Sequence, residues 1–319
     1  MAKPMNVVCL AGGTGGAKLA AGLQDLVGEH LAVVANTGDD VRVHGLLVSP
    51  DPDLITFWLA GVIDEERGFG IRDDTSVAHA QLVQLGAPDW FELTDRDLAV
   101  CVYRTHFIAE GGTVTAAQAQ IARSMGARAR VLPMSEDRVH ARVRTPAGWR
   151  GLQEFLILDG AKVVTDVERG AAMIEAVELE GIAEAAPTAD VLEAIAAAEL
   201  IVIGPSNPVI SVGPILALPG IREALAAAAA PVVAVSPFVA GRAVKGPAAA
   251  FVAALGRPVS AAGVASLYRG VIGAMVMDEA DPDPPPEGLE VLTYPTLMED
   301  ATDRRALAER VLELGRAMI

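Results

Sequence analysis

Residues 6–11 form a short apolar run that stops at Gly12-Gly13-Thr14-Gly15-Gly16. A helical pattern from about Ala17 to Leu26 leads into a second apolar run, Leu31 to Asn36. A chain that places a helix between two short strands returns its second strand parallel to the first, as a βαβ unit. Three more β-rich runs follow late, "LIVIG" at 200–204, "PVVAVSP" at 231–237 and "GAMVMDE" at 273–279, each separated from the next by a helical stretch. The fold class expected is α/β: a Rossmann-like, doubly wound, mostly parallel sheet with a helical and β-hairpin insertion.

The middle of the chain supplies the insertion. Helical patterns lie near residues 53–62, 74–85, 95–109 and 115–125, and the segment "RARVLPMSEDRVHARVRTPAGWRGLQEFLIL" alternates apolar and polar residues around the turn "TPAG". The expectation is a single domain over 1–319, with its core from about 1–62 and 190–319 and the insertion over about 63–189. The acidic, proline-rich "DEADPDPPPEG" at 278–288 reads as a surface loop before a last strand and a C-terminal helix.

Charge and composition exclude several functions. Forty-one acidic residues against 25 basic ones give a formal charge of −16, which argues against a nucleic-acid partner, whose affinity rests on phosphate neutralisation. Apolar residues make up 52% of the chain, but no run reaches the roughly 18 residues of a membrane span, so no membrane partner is expected. Cys9 and Cys101, the two cysteines, fit reduced thiols in a cytoplasmic protein. An anionic ligand would need help from backbone amides, a few cations or a divalent ion held by carboxylates.

The glycine loop matches neither familiar phosphate motif. A dinucleotide fingerprint needs a third glycine where Lys18 stands, and a P-loop needs Ser or Thr after its lysine, where Leu19 stands. What remains is a strand end, glycines that allow close backbone approach, open amides at a helix start and one cation; the plain alternative is a tight turn. "NTGDD" places Asn36, Asp39 and Asp40 at the carboxyl edge of the second strand. "SPDPD" places Asp51 and Asp53 at a helix start, where acids also serve as caps. Together the two acid pairs suit Mg²⁺, which takes a couple of carboxylates, keeps waters and bridges phosphates. After the run at 200–204, Ser206 and Asn207 can hydrogen-bond a base or phosphate or form a turn, and "SPFVAGRAVKGPA" adds Arg242 and Lys245.

In order along the chain, "GGTGGAKLAAGL", "NTGDD", "HGLLVSPDPD", "RGFGIRDDT", "LTDRDLAV", "VLPMSED", "LQEFLI", "GPSNPVISVGPILALPGIR" and "VSPFVAGRAVKGPA" resemble the 2-phospho-L-lactate transferase family of coenzyme F-420 biosynthesis, which includes a phosphoenolpyruvate transferase branch. The resemblance runs from about residue 6 to residue 277. It implies a guanosine diphosphate-activated lactate, enolpyruvate or glycerate donor, and a phospho-acid group transferred to the deazaflavin precursor Fo (7,8-didemethyl-8-hydroxy-5-deazariboflavin). It also implies release of GMP, a need for Mg²⁺ and a homodimer.

By the same resemblance Asp39 and Asp53 hold the metal and the reacting phosphate, with Asn36 between the groups. Gly12, Gly13, Thr14, Gly15, Gly16 and Lys18 lie near the diphosphate, with Asp40 beside them, and Ser206 and Asn207 near the guanosine. His44, Trp58, Asp74 and Thr75 match the region expected to receive Fo, where an aromatic face can stack on the ring. Arg96 and Arg104 contact phosphate or anchor helices. The chain departs from the family pattern at Leu54, Phe69, Val100 and Cys101, changes expected to alter the acceptor pocket.

In the mechanism this implies, the Fo hydroxyl attacks the distal phosphorus in line, and positioning and charge stabilisation carry the rate. Asp39, Asp40 and Asp53 are the candidate bases. Two other readings stand beside it: a non-catalytic nucleotide-sugar-binding regulator of the same superfamily, and an NAD(P)-dependent oxidoreductase suggested by the fold alone.

Overall fold

A computed structural model describes residues 5–244 and 246–319. The first unit runs β1 (Val7–Ala11), α1 (Gly13–Val27), β2 (Leu31–Ala35), β3 (Val41–Val43), β4 (Leu46–Val48) and α2 (Pro50–Leu59). The middle runs α3 (Val77–Gln84), α4 (Asp95–Ala109), α5 (Val114–Met125), β5 (Arg130–Pro133), β6 (His140–Thr145), β7 (Gly148–Gly151), α6 (Leu152–Thr165), α7 (Val167–Ala172) and β8 (Ala176–Glu180). The chain then returns through α8 (Ala189–Ala197), β9 (Leu200–Ile203), α9 (Val212–Ala217), α10 (Ile221–Ala227), β10 (Val232–Val235), β11 (Phe238–Val239), β12 (Arg242–Ala243), α11 (Ala248–Ala254) and α12 (Ala261–Leu267). It ends in β13 (Ala274–Met277), β14 (Glu290–Thr293) and α13 (Ala301–Ala317).

Seven strands form one sheet in the order β14-β13-β10-β9-β1-β2-β5, every neighbouring pair parallel. Both faces are covered, which is why the inner strands read as unbroken apolar runs rather than alternating ones. Val7, Cys9 and Ala11 face a core shared with α1, α2 and α13, while Val8 and Leu10 face a second core shared with α8–α12. This is the α/β, doubly wound arrangement that the βαβ spacing implies.

The insertion differs from its expected form in two respects. The edge strand β5 comes from inside it and joins the central sheet, because the apolar "VLP" of Val131–Pro133 is buried beside Ala32–Ala35. The hairpin β6–β7 turns between Thr145 and Gly148, within "TPAG", but β6 also pairs antiparallel with β8, making a three-stranded sheet. Among the described residues, no helix is long and apolar enough to cross a membrane.

Candidate active site

The order of strands fixes where a ligand can enter. From β1 the chain moves outward through β2 to β5, and from β9 it moves outward the other way through β10, β13 and β14. The loops after β1 and β9 therefore diverge above the sheet, and open α/β sheets bind ligands in the crevice at such a switch point. Here the Gly204 amide donates to Leu10 O (3.0 Å) and the Gly12 amide to Ser206 Oγ (3.2 Å). A cavity of about 1160 Å³ opens at this edge.

Helix α1 begins at Gly13, not at Ala17, so the glycines close the strand and form the first helical turn directly. Gly12, Gly13, Thr14, Gly15 and Lys18 line the cavity. A Cβ at Gly12 would sit 2.3 Å from Asp51 Oδ2, and one at Gly15 would sit 2.2 Å from the Pro205 carbonyl oxygen. Only glycine lets the helix start approach both loops so closely. The Gly13 amide donates to Asp51 Oδ1 (2.6 Å); Thr14 and Gly15 follow in the same first turn, whose amides have no partner within the helix. Gly16 is buried against Ser206 and Ala11.

Against the helix start, in contact with it through Asp51, lies a floor of carboxylates. Asp39, Asp51, Asp53 and Asp97 line the cavity. Asp51 and Asp53 occupy the first turn of α2, where the helix dipole favours negative charge. Asn36 lies beneath them, fully buried: its Nδ2 donates to Asp51 Oδ2 (2.9 Å), to Ile210 O (3.3 Å) and to Asp39 Oδ1 (3.4 Å), while its Oδ1 accepts the Gly38 amide (2.8 Å). Gln153 of α6 donates to Asp39 Oδ2 at 2.8 Å. Asp40 lies behind this surface and accepts from Ser49 Oγ (2.8 Å).

Burial drives the electrostatics of the floor, because desolvation disfavours the ionised form. It raises Asp39 well above the ordinary carboxylate range, reinforced by the charges of Asp51 and Asp40. Burial pushes Asp40 to about 8 and Asp97 to about 7. Asp51 reaches about 6, held down by its bonds from Asn36 and Gly13. Asp53 is also raised by burial, opposed by its ion pair with the fully buried Arg104 guanidinium.

Asp40 Oδ1 and Asp97 Oδ1 are buried with no hydrogen-bond partner. Asp97 lines the cavity and Asp40 does not, so the buried, mutually repelling carboxylates that a divalent cation would suit as a partner are those of the wall, Asp39, Asp51, Asp53 and Asp97. Among the described residues no three or more His, Cys, Asp or Glu side chains gather into a complete metal cage.

A second wall, beside the glycine loop, carries Ser206, Asn207 and Ser211. Asn207 Oδ1 accepts the amides of Val209 (3.0 Å) and Ile210 (3.3 Å), which orients the side chain, and its Nδ2 is buried without a protein acceptor. A third wall is apolar: Leu54, Phe57, Phe69, Trp90, Phe91, Leu93 and Cys101, with His79 beside them bonded through Nε2 to Asp89 (3.0 Å). Burial pushes the Cys101 thiol up to about 12, so it lines the wall as a neutral group. Of the four positions where the chain departs from the family pattern, Leu54, Phe69 and Cys101 face the cavity and Val100 faces the core.

Several expected contacts are not brought to the cavity. Trp58 is buried in the core, and its ring is covered by Lys18 Nζ (5.6 Å) and Arg304 (4.9 Å), so the stacking expected of it is not available there. His44 sits in the β3–β4 turn with φ of +51°, outside the cavity wall. Asp74 accepts the amides of Arg96 and Asp97, and Thr75 Oγ1 donates to Asp95, so both organise the start of α4. Arg96 donates to Arg72 O (3.2 Å), and Arg104 stands behind Asp53. Arg242 is exposed on β12, and Lys245 lies outside the described residues.

Conversely, Asp51 is a wall carboxylate that an N-terminal capping role in the sequence conceals; its signal was the second acid pair. Gln153 lay in "LQEFLI", which served only the resemblance, and Trp90 and Phe91 in "DWFEL", which gave no signal; Phe69 of "RGFG", a departure expected to alter the acceptor pocket, does line the cavity.

The chain matches the family model described as "2-phospho-L-lactate transferase CofD" over residues 7–308. It is 37% identical to the 2-phospho-L-lactate transferase of Methanopyrus kandleri, covering 99% of both chains. It is 38% identical to the phosphoenolpyruvate transferase of Streptomyces griseus, covering 98% of both. Among solved structures it resembles a Bacillus halodurans protein of the UPF0052 family, with a TM-score of 0.62 at 16% identity, covering 98% of this chain and 100% of that one. At that identity the likeness concerns the fold alone.

Proposed function

The chain belongs to the 2-phospho-L-lactate transferase CofD family, and from that premise we propose that it transfers a phospho-three-carbon-acid group from a guanosine diphosphate-activated donor to Fo in coenzyme F-420 biosynthesis, releasing GMP. One observation carries the reading: the helix start at Gly13–Gly15, the buried carboxylates Asp39, Asp51 and Asp53, and the aromatic side chains of Phe69, Trp90 and Phe91 line one cavity. A diphosphate, its counter-ion and a flat ring system each find a chemically matched wall.

Asp39 and Asp53 would hold Mg²⁺, with Asp51 beside them; when bound, the ion supplies charge neutralisation at phosphate oxygens. The amides of Thr14 and Gly15 donate to the diphosphate, as helix starts do for anions. Asn207 Nδ2, already oriented by its own backbone bonds, donates to the nucleotide. Phe69, Trp90 and Phe91 present faces against which the deazaflavin packs, excluding water from one side of the attacking hydroxyl. Positioning and charge stabilisation then carry the reaction, as in other phosphoryl transfers.

The test is incubation of the purified chain with Fo, Mg²⁺ and the lactyl, enolpyruvyl or glyceryl donor in turn, with mass spectrometry of the product. The expected outcome is one dominant donor and stoichiometric GMP. Binding of a nucleotide sugar without turnover of any donor would instead favour a regulator.

A further inference from the structure

Arg104 of α4 and Gln118 of α5 lie behind Asp53 and outside the cavity wall. Both side chains are fully buried. The Arg104 Nη2 donates to Asp53 Oδ1 and to Gln118 Oε1 (3.2 Å), and its Nη1 donates to Leu47 O (3.3 Å). Gln118 Nε2 donates onward to Thr56 Oγ1 (2.8 Å) and Pro52 O (3.3 Å), and Thr56 Oγ1 itself donates to Pro52 O (2.8 Å). Two helices of the insertion thus grip the first turn of α2, the turn that carries Asp51 and Asp53.

Stability alone is a poor reason for this arrangement. A buried ion pair loses so much hydration that well-packed apolar residues of similar volume serve as well or better. The arrangement does something apolar packing cannot. It commits one oxygen of Asp53 to a planar, rigid donor while Asp53 still lines the cavity. It also sets one fixed positive charge behind a cluster of four wall carboxylates and Asp40, limiting their mutual repulsion.

We infer that Arg104 and Gln118 are positioning residues, a buried relay through which the insertion fixes the Asp53 carboxylate for a divalent cation on its cavity side. The inference rests on the metal-dependent reading above. Groups that orient a metal-binding carboxylate contribute through it, and their loss typically weakens metal affinity about 10–100-fold.

The test measures Mn²⁺ binding to the full chain by electron paramagnetic resonance, with the metal alone and no substrate. Gln118→Leu removes the relay without changing charge, and Arg104→Lys keeps the charge but loses the planar fork. Val264→Ala, in α12 on the sheet face opposite α2 and outside the cavity wall, serves as a control that loosens the core. The expected result is a dissociation constant raised about tenfold or more in Gln118→Leu and Arg104→Lys, against an unchanged one in Val264→Ala despite its lower melting temperature. Should Arg104→Lys not fold, Gln118→Leu decides alone.

Wild-type affinity in Gln118→Leu overturns the positioning role and leaves the metal reading standing. Equal weakening in Val264→Ala overturns it too, because the loss then tracks general stability. Absence of saturable Mn²⁺ binding by the wild-type chain removes the metal reading itself and the inference with it.

Discussion

Asp51 Oδ1 accepts the Gly13 amide at 2.6 Å, so the carboxylate at the start of one helix closes the first amide of another. The contact exists only because Gly12 has no side chain: a Cβ there would lie 2.3 Å from Asp51 Oδ2 and 2.8 Å from Ser211 Cβ. Gly12→Ala should therefore displace Asp51 and open the α1–α2 junction. Overpacking of this kind typically costs about 1–3 kcal/mol. The expected outcome is a lowered melting temperature together with transferase activity reduced by more than the melting shift accounts for. Activity retained in the folded fraction would show that Asp51 need not sit where it does.

Asp39 and Asp53 approach the cavity from different supports, Asp39 through Asn36 and Gln153, Asp53 through Arg104. Replacing either by Asn keeps the shape and removes the charge. GMP release at saturating Mg²⁺ should fall by roughly 10²–10³-fold in each case, the scale of losing one electrostatic contact to a transition state. Steady-state assays with excess Mg²⁺ and Fo check this, and near-normal turnover in either variant would sink that residue's assignment.

Lys18 Nζ donates to Met298 O at 2.6 Å and lies over the Trp58 ring, whose other cation, Arg304, pairs with Glu65 (2.9 Å). The segment Thr296–Glu299 that it holds is itself cavity wall. Lys18→Met should raise the KM for the donor and speed amide hydrogen exchange in the peptide spanning 295–300, measured by mass spectrometry. Unchanged exchange with a raised KM would reduce Lys18 to a charge for the diphosphate and refute its role in holding the wall.

How much of this was legible in the sequence follows from the range of the interactions. The parallel sheet came from local periodicity: β1, α1 and β2 each carry their own apolar pattern and are joined by the short connections of a βαβ unit. The glycine loop, Asp39 and Asp53 were also legible, because they stand at strand and helix ends where an α/β sheet exposes its edge. Trp58 was not, since its burial under Lys18 and Arg304 depends on α13 folding back from residues 301–317. The same holds for Gln118, which reaches α2 from 62 residues away to bond Thr56. Edge strand β5 reads in the sequence as part of the hairpin segment, because its short apolar stretch runs into the alternating residues of β6, and only the free flank of β2 explains its place in the central sheet.

The acidity of the floor gives stability a pH dependence of definite sign. Asp51, Asp97 and Asp40 are raised from 3.8 to about 6, 7 and 8 respectively, chiefly by burial. Between about pH 4 and those values the folded chain keeps protons that the unfolded chain has released. The folded state therefore binds the larger number, and stability falls as pH rises. The contribution is fully present below about pH 4 and is lost progressively as pH passes through 6 to 8. A cation bound to the ionised floor opposes that loss, because it stabilises only the folded, deprotonated form. Melting temperatures measured in EDTA should thus decline from pH 5 to pH 8.5, whereas with saturating Mg²⁺ the decline should flatten and the stabilisation by Mg²⁺ should grow with pH. Parallel curves in EDTA and Mg²⁺ would mean that no ion binds at the ionised floor to which Asp39 and Asp53 belong.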